Sequence, residues 1–112
     1  MNEHLPADVI SSIIRWAATK RHVAQLFVFG SRVTGVNKHG GPVRSNSDLD
    51  IAVVLIDGIE NTTSFWCFDA KSWAGELAAI VSFEVDLELM ESDTPTLRRY
   101  VEATGVEVFR RQ

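Results

Sequence analysis

The chain has 112 residues, 46% of them hydrophobic and 23% charged, which predicts one domain over residues 1–112 with a single packed core. Eleven Lys and Arg against fifteen Asp and Glu give a formal net charge of −4, which argues against a broad nucleic-acid-binding surface. One cysteine, no recognisable signal peptide and no apolar run of membrane-spanning length lead us to expect a cytoplasmic protein.

The first half of the chain predicts a helix, a strand and a loop. Apolar residues recur at helical spacing from Asp8 to Ala17, with Asp8 as the predicted N-cap. Residues 23–29 are rich in β-branched and aromatic residues and predict a buried strand that ends at Gly30. Residues 36–46 contain two adjacent glycines followed by a proline, and we expect a mobile surface loop there.

Two further strands with a helix between them are predicted next. Residues 48–56 are polar at the start and continuously apolar afterwards, which is typical of a strand whose far end is buried on both faces. A helix capped by one of residues 61–63 carries apolar side chains at helical spacing as far as Val81. Residues 83–90 alternate strictly between apolar and polar side chains, so we expect a half-exposed strand.

The end of the chain predicts one more helix and one more strand. Pro95 suits the first turn of a helix that Gly105 ends, and residues 106–110 form the closing strand. This order of elements predicts an α/β (α+β) fold with helices packed on a small mixed β-sheet.

Asp48 and Asp50 are the most informative pair of polar residues. Side chains at positions i and i+2 of a strand project to the same face, and two carboxylates on one face can hold a hard cation such as Mg²⁺. Asp86, on the polar face of a later strand, could complete a site for two ions. For an isolated Asp-x-Asp pattern, however, ordinary exposed strand positions are the more frequent explanation.

Gly30 and Ser31 directly follow the first strand. Glycine lets a backbone approach a ligand closely, and Ser31 can begin a helix whose N–H groups and hydroxyl bind a phosphate. On their own, the two residues are more often explained by a simple strand-to-helix turn with a serine cap. Only their combination with the aspartates of the next strand indicates a phosphate-and-metal site.

Three separated segments resemble, in the same order, the minimal nucleotidyltransferases of the polymerase-β superfamily: GSRVTG at 30–35, SDLDIAV at 47–53 and VDL at 85–87. The resemblance implies a polymerase-β-like fold and Mg²⁺-dependent transfer of a nucleoside monophosphate, expected to be AMP from ATP, to a hydroxyl. It implies triphosphate contacts for Gly30, Ser31, Arg32 and Ser47. It also implies two Mg²⁺ ions held by Asp48, Asp50 and Asp86, with Asp86 helping to activate the attacking hydroxyl.

The acceptor is the open question, because a chain of this size has little room for a dedicated acceptor pocket. The resemblance implies the antitoxin of a toxin–antitoxin pair whose partner, a HEPN-type ribonuclease, is modified on tyrosine. Two alternatives stay open. The protein could inhibit its partner by contact alone with a vestigial metal site, or it could modify small molecules, similar to aminoglycoside-modifying relatives, in a cleft shared within a homo- or hetero-oligomer.

The loop is longer than the family usually has between Ser31 and Ser47. Its basic residues could close over phosphates as a cationic lid, although a solvated insertion is the simpler interpretation. These residues are Lys38, His39 and Arg44.

Other candidate residues have ordinary structural explanations. Aromatic residues at helical spacing could stack on a base but are more often core or partner surface: Trp66, Phe68 and Trp73. Cys67 has no partner constellation for catalysis and is expected to be inert. Glu84 and Glu88 could assist Asp86 or simply face solvent.

Overall fold

The computed structural model describes residues 6–35, 41, 48–56, 62–81, 84–90 and 95–111, without the side chains of residues 31 and 62–69. The predicted loop at 36–46, with its three basic residues, therefore lies outside the described residues except for Gly41. The elements, in chain order, are α1 (Ala7–Thr19), β1 (Val23–Phe29), α2 (Ser31–Thr34), β2 (Leu49–Leu55), α3 (Thr62–Val81), β3 (Val85–Leu89), α4 (Pro95–Thr104) and β4 (Val106–Arg110).

The four strands form one mixed sheet in the order β3-β2-β1-β4. β1 is antiparallel to both β2 and β4, whereas β2 and β3 are parallel and joined through α3. The predicted fold class, helices packed on a small mixed sheet, is confirmed. The antiparallel β1–β2 pair brings the end of β1 beside the start of β2.

One face of the sheet is covered by α1 and α3 and forms the main core. The rings of Trp16 and Trp73 meet edge to face there, with their centroids 5.5 Å apart. The largest fully buried side chains are Ile13, Val23, Leu26, Val28, Leu49, Ile51, Val53 and Leu77. β2 lies inside the sheet and packs on both faces, with Ile51, Val53 and Leu55 in this core and Ala52 on the other side, which explains its continuously apolar stretch.

The other face is covered by α4 and forms a smaller cluster. Val101 of α4 packs with Phe29, Ala52 and Met90, and Leu97 packs against the edge of the group. Because alternate residues of a strand point to opposite faces, Asp50 and Asp86 lie on this second face. α4 therefore shares its side of the sheet with the carboxylates.

The start of α1 differs from the prediction. Pro6 occupies the N-cap position and its carbonyl accepts from the amides of Val9 and Ile10, whereas Asp8 lies in the first turn without a side-chain cap. The prediction of Asp8 as N-cap is wrong because Pro6 already has the extended backbone that precedes a helix. The Asp8 carboxylate still lies near the positive end of the helix dipole.

The carboxyl end of α1 is held by Arg111, near the other end of the chain. Its guanidinium donates to the carbonyls of Ala17, Lys20 and Val23 at 2.8–3.0 Å. The carbonyls of Ala17 and Lys20 also accept from the backbone amides of Lys20 and Val23, so Arg111 adds a second donor to each of them. Among the described residues, no helix is both long and apolar enough to cross a lipid bilayer.

Candidate functional site

The site begins at Gly30, where the chain leaves β1. Gly30 has a φ of +84°, a conformation that residues with a side chain rarely adopt. Its carbonyl accepts from the amides of Val33 and Thr34, both at 3.1 Å, and these bonds form α2. Gly30 therefore turns the backbone sharply at the carboxyl end of a strand.

A carboxylate lies directly against this turn. A Cβ atom built on Gly30 would overlap Oδ2 of Asp50 and would lie 3.3 Å from its Cγ. Asp50 comes from β2, whose start runs beside the end of β1, with Phe29 and Asp50 as register partners. Because glycine has no side chain, the Asp50 carboxylate can rest on the backbone of the turn. The two predicted motifs thus meet in space.

Asp50 also lies beside the third predicted aspartate. Asp50 and Asp86 are register partners in the parallel pair of β2 and β3, so their side chains leave the same face of neighbouring strands. Asp48 is exposed just ahead of β2, and Asp86 and Glu88 are exposed on β3. The structure brings Asp50 and Asp86 into one row, with Asp48 two residues before Asp50.

The electrostatics of this row show how closely the carboxylates interact. Partial burial, followed by the negative charges of Asp86, Asp48 and Glu88, raises the pKa of Asp50 to about 6. The pKa of the Glu88 carboxyl is also raised, by burial and then by Asp86. Repulsion of this kind disfavours the charged form of a carboxylate unless a cation is close by.

Arg32, on α2, is the buried cation of the site. Only 2% of Arg32 is exposed, so its side chain does not face solvent. Burial lowers the pKa of the guanidinium, and the negative charge of Asp48 opposes that shift. A buried charge needs a partner to be tolerated, and Asp48 supplies a nearby negative charge.

The phosphate-binding prediction is only partly located in the structure. Ser31 does begin α2, as expected, but this helix has four residues and ends at Thr34. A single turn has few aligned peptide dipoles, so the end of this helix adds little positive potential for a phosphate. The side chain of Ser31 and the whole of Ser47 lie outside the described residues.

The carboxylates are the right type of ligand for Mg²⁺, but their positions in the structure do not form a ready metal site. Across the described residues, no group of three or more His, Cys, Asp or Glu side chains is placed to hold a metal ion. The donor set in the row is nevertheless entirely carboxylate oxygen, which is the ligand type that Mg²⁺ prefers. Burial, and after it the negative charges of Asp86, Asp48 and Glu88, raise the pKa of Asp50, and a nearby divalent cation would favour its charged form.

Comparison of the sequence with known families decides the assignment. Residues 11–112 match the family described as polymerase beta, nucleotidyltransferase. The chain belongs to this nucleotidyltransferase family. Its fold agrees with the fold that the resemblance of the three motifs implies. Among curated proteins, none matches the chain.

Solved structures of similar fold point to one group of nucleotidyltransferases. A toxin–antitoxin structure with AMP-PNP matches with a TM-score of 0.70 and 25% identity, over 92% of this chain and 74% of that one. A MntA–HepT toxin–antitoxin structure matches with a TM-score of 0.60 and 23% identity, over 93% and 72%. The complex of a tri-AMPylated Shewanella oneidensis HEPN toxin with an MNT antitoxin matches with a TM-score of 0.62 and 23% identity, over 93% of this chain and 71% of that one.

Sequence reasoning missed the contribution of α4 to the candidate site. The amide of Gly30 donates to Oγ1 of Thr104 at 3.4 Å, and the ring of Tyr100 meets that of Phe29 edge to face, with centroids 5.6 Å apart. Both residues lie on the predicted last helix, but only the strand order shows which part of the sheet they reach.

The remaining candidates are less closely connected with the site. Trp73 is buried against Trp16 in the main core, so its core interpretation is confirmed and base stacking by this ring is excluded. Glu84 is exposed just before β3, where its carbonyl accepts from the amide of Leu49 at 2.8 Å. The side chains of Trp66, Cys67 and Phe68 lie outside the described residues.

Proposed function

We propose that this nucleotidyltransferase transfers AMP from ATP, in a Mg²⁺-dependent reaction, to a hydroxyl on a protein partner of the HEPN toxin type. Membership of the family supports nucleotidyl transfer. The observation that carries the proposal is the contact between Gly30 and Asp50, with Asp86 in register beside Asp50. This contact joins a backbone turn suited to phosphate with a row of carboxylates suited to a divalent cation.

Each residue of the site has a proposed role. Asp48, Asp50 and Asp86 would hold two Mg²⁺ ions, which when bound neutralise phosphate charge and polarise the α-phosphoryl group. Gly30 leaves room for a phosphate beside the backbone, and Ser31 and Ser47 are proposed to donate hydrogen bonds to the triphosphate. Arg32 balances part of the negative charge from its buried position near Asp48.

The proposed reaction is an in-line displacement at the α-phosphorus. The hydroxyl oxygen of the acceptor forms a bond to this phosphorus while the bond to the bridging oxygen of the departing pyrophosphate breaks. Asp86 is exposed on the carboxylate face. We propose that it helps to activate the attacking hydroxyl and takes its proton. The products are an AMP ester of the acceptor and pyrophosphate.

The nature of the acceptor is supported by the solved structures of similar fold. One such structure is described as a toxin–antitoxin with AMP-PNP, and another as an AMPylated HEPN toxin with an MNT antitoxin. We propose that residues 1–112 act as one domain, with residues 36–46 as an inserted loop, and that the acceptor tyrosine belongs to the partner. An enzyme of this kind would act in the cytoplasm, where both ATP and a ribonuclease partner are present.

The proposal is tested by label transfer. The protein is incubated with ATP carrying ³²P at the α-phosphate, Mg²⁺ and the product of the neighbouring gene as the candidate partner, and protein-bound label is measured. We expect label on the partner and a loss of at least about 100-fold in Asp50→Asn, since metal-held charge stabilisation contributes several kcal/mol. Asp8→Asn, which removes an exposed carboxylate from α1, is the matched control and should transfer at the wild-type rate.

The same experiment separates the alternatives. Inhibition of the partner without label transfer by the wild type would support an antitoxin that acts by contact alone and would contradict the enzymatic proposal. Label on an aminoglycoside-like small molecule, with none on the partner, would contradict the proposed acceptor while leaving nucleotidyl transfer in place.

A further inference from the structure

Tyr100 is a large aromatic side chain that the fold leaves half exposed beside the carboxylate face. Its exposed fraction is 49%, the highest of the exposed large hydrophobic side chains within the described residues. It lies on α4, whose apolar side packs on the sheet through Val101 and Leu97. The exposed half of the ring is open to a ligand, and a ligand that covered it would gain favourable burial of aromatic surface.

Two contacts fix Tyr100 relative to the site. Its ring meets Phe29 edge to face at 5.6 Å, and Phe29 is the register partner of Asp50 in the antiparallel pair. One helical turn further along α4, Thr104 accepts from the amide of Gly30 and donates to the carbonyl of Tyr100 at 2.9 Å. The side of α4 that carries Tyr100 and Thr104 therefore faces the end of β1, where Asp50 rests on Gly30.

We infer that Tyr100 forms the stacking surface for the base of the nucleoside triphosphate. The inference rests on the proposed function and adds a base-binding residue to it. With the phosphates at Gly30 and the carboxylates, the ribose and base must extend away from that point. Phe29 contacts the Tyr100 ring and is the register partner of Asp50 on the neighbouring strand. The ring therefore lies close to Asp50, on the same face of the sheet. Every base has a flat π-face, so one exposed ring suffices to bind it.

The other exposed apolar side chains do not share this position. Ile14 and Ile80 lie on α1 and α3, on the opposite side of the sheet, and Ile56 follows the far end of β2. Val106 begins β4, but as an aliphatic side chain it offers no flat ring to a base. Tyr100 alone among these exposed side chains combines an aromatic ring with contact to the site.

Nuclear magnetic resonance provides a direct test because the chain contains one tyrosine. Protein labelled with ¹³C in the tyrosine ring gives signals from Tyr100 only. We expect AMP-PNP with Mg²⁺ to shift these ring signals upfield and to produce Overhauser effects from adenine protons to the ring. Inorganic tripolyphosphate, which has the phosphates without the base, should produce neither. Bound AMP-PNP without these effects overturns the inference and leaves nucleotide binding by the protein intact.

Calorimetric titrations of variants supply the second test. Replacing Tyr100 by alanine (Tyr100→Ala) should weaken AMP-PNP binding about 5- to 100-fold, as expected for loss of one base–aromatic stack, and leave tripolyphosphate binding unchanged. Tyr100→Phe and Tyr100→Trp should stay within about twofold of the wild type, because both keep an aromatic face. Ile80→Ala is the matched control for truncating an exposed apolar side chain.

A purely structural role for Tyr100 gives a different result. Tyr100→Leu keeps apolar packing on Phe29 but has no ring, and it should weaken AMP-PNP binding as much as alanine does. Full affinity in Tyr100→Leu, or an equal loss for AMP-PNP and tripolyphosphate in Tyr100→Ala, overturns the inference. If the wild type binds tripolyphosphate but discriminates against AMP-PNP, both the inference and the proposed function fail.

Discussion

The two faces of the sheet are built from alternate residues of the same strands and differ in what covers them. On the face toward α1 and α3, Leu49, Ile51 and Val53 of β2 are completely buried. On the face toward α4, Asp50 is half buried and Ala52 packs in a small cluster. β2 thus contributes large buried apolar side chains to one face, and Asp50 together with the small Ala52 to the other.

The difference follows from the number and length of the covering helices. Two helices of 13 and 20 residues cover the first face, whereas the second is covered by α4, which has 10 residues and ends beside Gly30. Exposed carboxylates of β3 remain on the second face. Hydrophobic burial on one face therefore supports an array of mutually repelling charges on the other.

The largest expected effect on stability lies on the fully covered face. Ile51→Ala should lower the free energy of unfolding by about 2–5 kcal/mol, because it removes buried methyl groups and leaves a cavity. Urea denaturation followed by circular dichroism measures this change. Ile80→Ala, at an exposed position, should change the free energy by less than about 0.5 kcal/mol. Equal losses in the two variants would show that the first face is not the main core.

Gly30 tests the connection between the turn and the carboxylate face. Gly30→Ala should lower the free energy of unfolding by about 1–3 kcal/mol, because it combines an unfavourable φ with a clash against Asp50. Gly35 is the matched control, with a φ of +78° and nothing within 4 Å of an added Cβ. Gly35→Ala should show only the cost of the φ. If both variants lose the same stability, the contact between Gly30 and Asp50 is contradicted.

The raised pKa of Asp50 predicts that, in the metal-free protein, the contribution of Asp50 to the free energy of unfolding falls as the pH rises. Folded Asp50 has a pKa of about 6, above its ordinary value near 3.9, so its favourable contribution is present below about pH 4 and is lost as the pH rises through 6. Asp50→Asn lacks this titration. Its stability relative to the wild type should therefore increase by about 1–2 kcal/mol between pH 4 and pH 7, after discounting for partial exposure.

Thermal unfolding of both proteins in a metal chelator measures this difference. Mg²⁺ added at pH 7 should reduce the difference, since a bound cation removes the repulsion. A relative stability that does not change between pH 4 and pH 7 would contradict the close approach of the carboxylates.

The smallest expected effect is at the contact between α1 and α3. Glu76 accepts from Trp16 at 3.1 Å and pairs with Lys20 at 2.7 Å, and the hydrogen bond from Lys20 is the main cause of its lowered pKa. Because the pair is partly exposed, Glu76→Gln should lower the free energy of unfolding by less than about 1 kcal/mol in urea denaturation. A loss above about 2 kcal/mol would contradict the small contribution expected of a partly exposed ion pair.

Much of the fold could be predicted from hydrophobic periodicity. The bounds of β1 and β4 and the extent of α4 agree with the predictions, since β-branched runs and the Pro95 and Gly105 signals are local. Within the described residues, the strands predicted at 48–56 and 83–90 extend one residue beyond β2 and β3 at each end. The prediction of Asp8 as the N-cap was wrong because Pro6, two residues earlier, occupies the N-cap position.

The candidate site could be predicted only in part. The motifs selected Gly30, Asp48, Asp50 and Asp86, but the contact of Gly30 with Asp50 depends on strand order, which periodicity does not give. The burial of Arg32 was missed because a charged residue in a loop-like motif is normally exposed. The roles of Tyr100 and Thr104 were missed because they arise from packing of α4 across the sheet.

The central claim is that the carboxylate face binds a divalent cation together with a nucleotide. Mn²⁺, used as a paramagnetic substitute for Mg²⁺ in the presence of AMP-PNP, broadens the amide signals of residues near it. We predict that the amides of Gly30, Asp50 and Asp86 broaden first, while those of Ala17 and Leu77 on the opposite face stay sharp. Broadening centred on another acidic residue, such as Glu107 of β4, or none at any amide, would contradict the account.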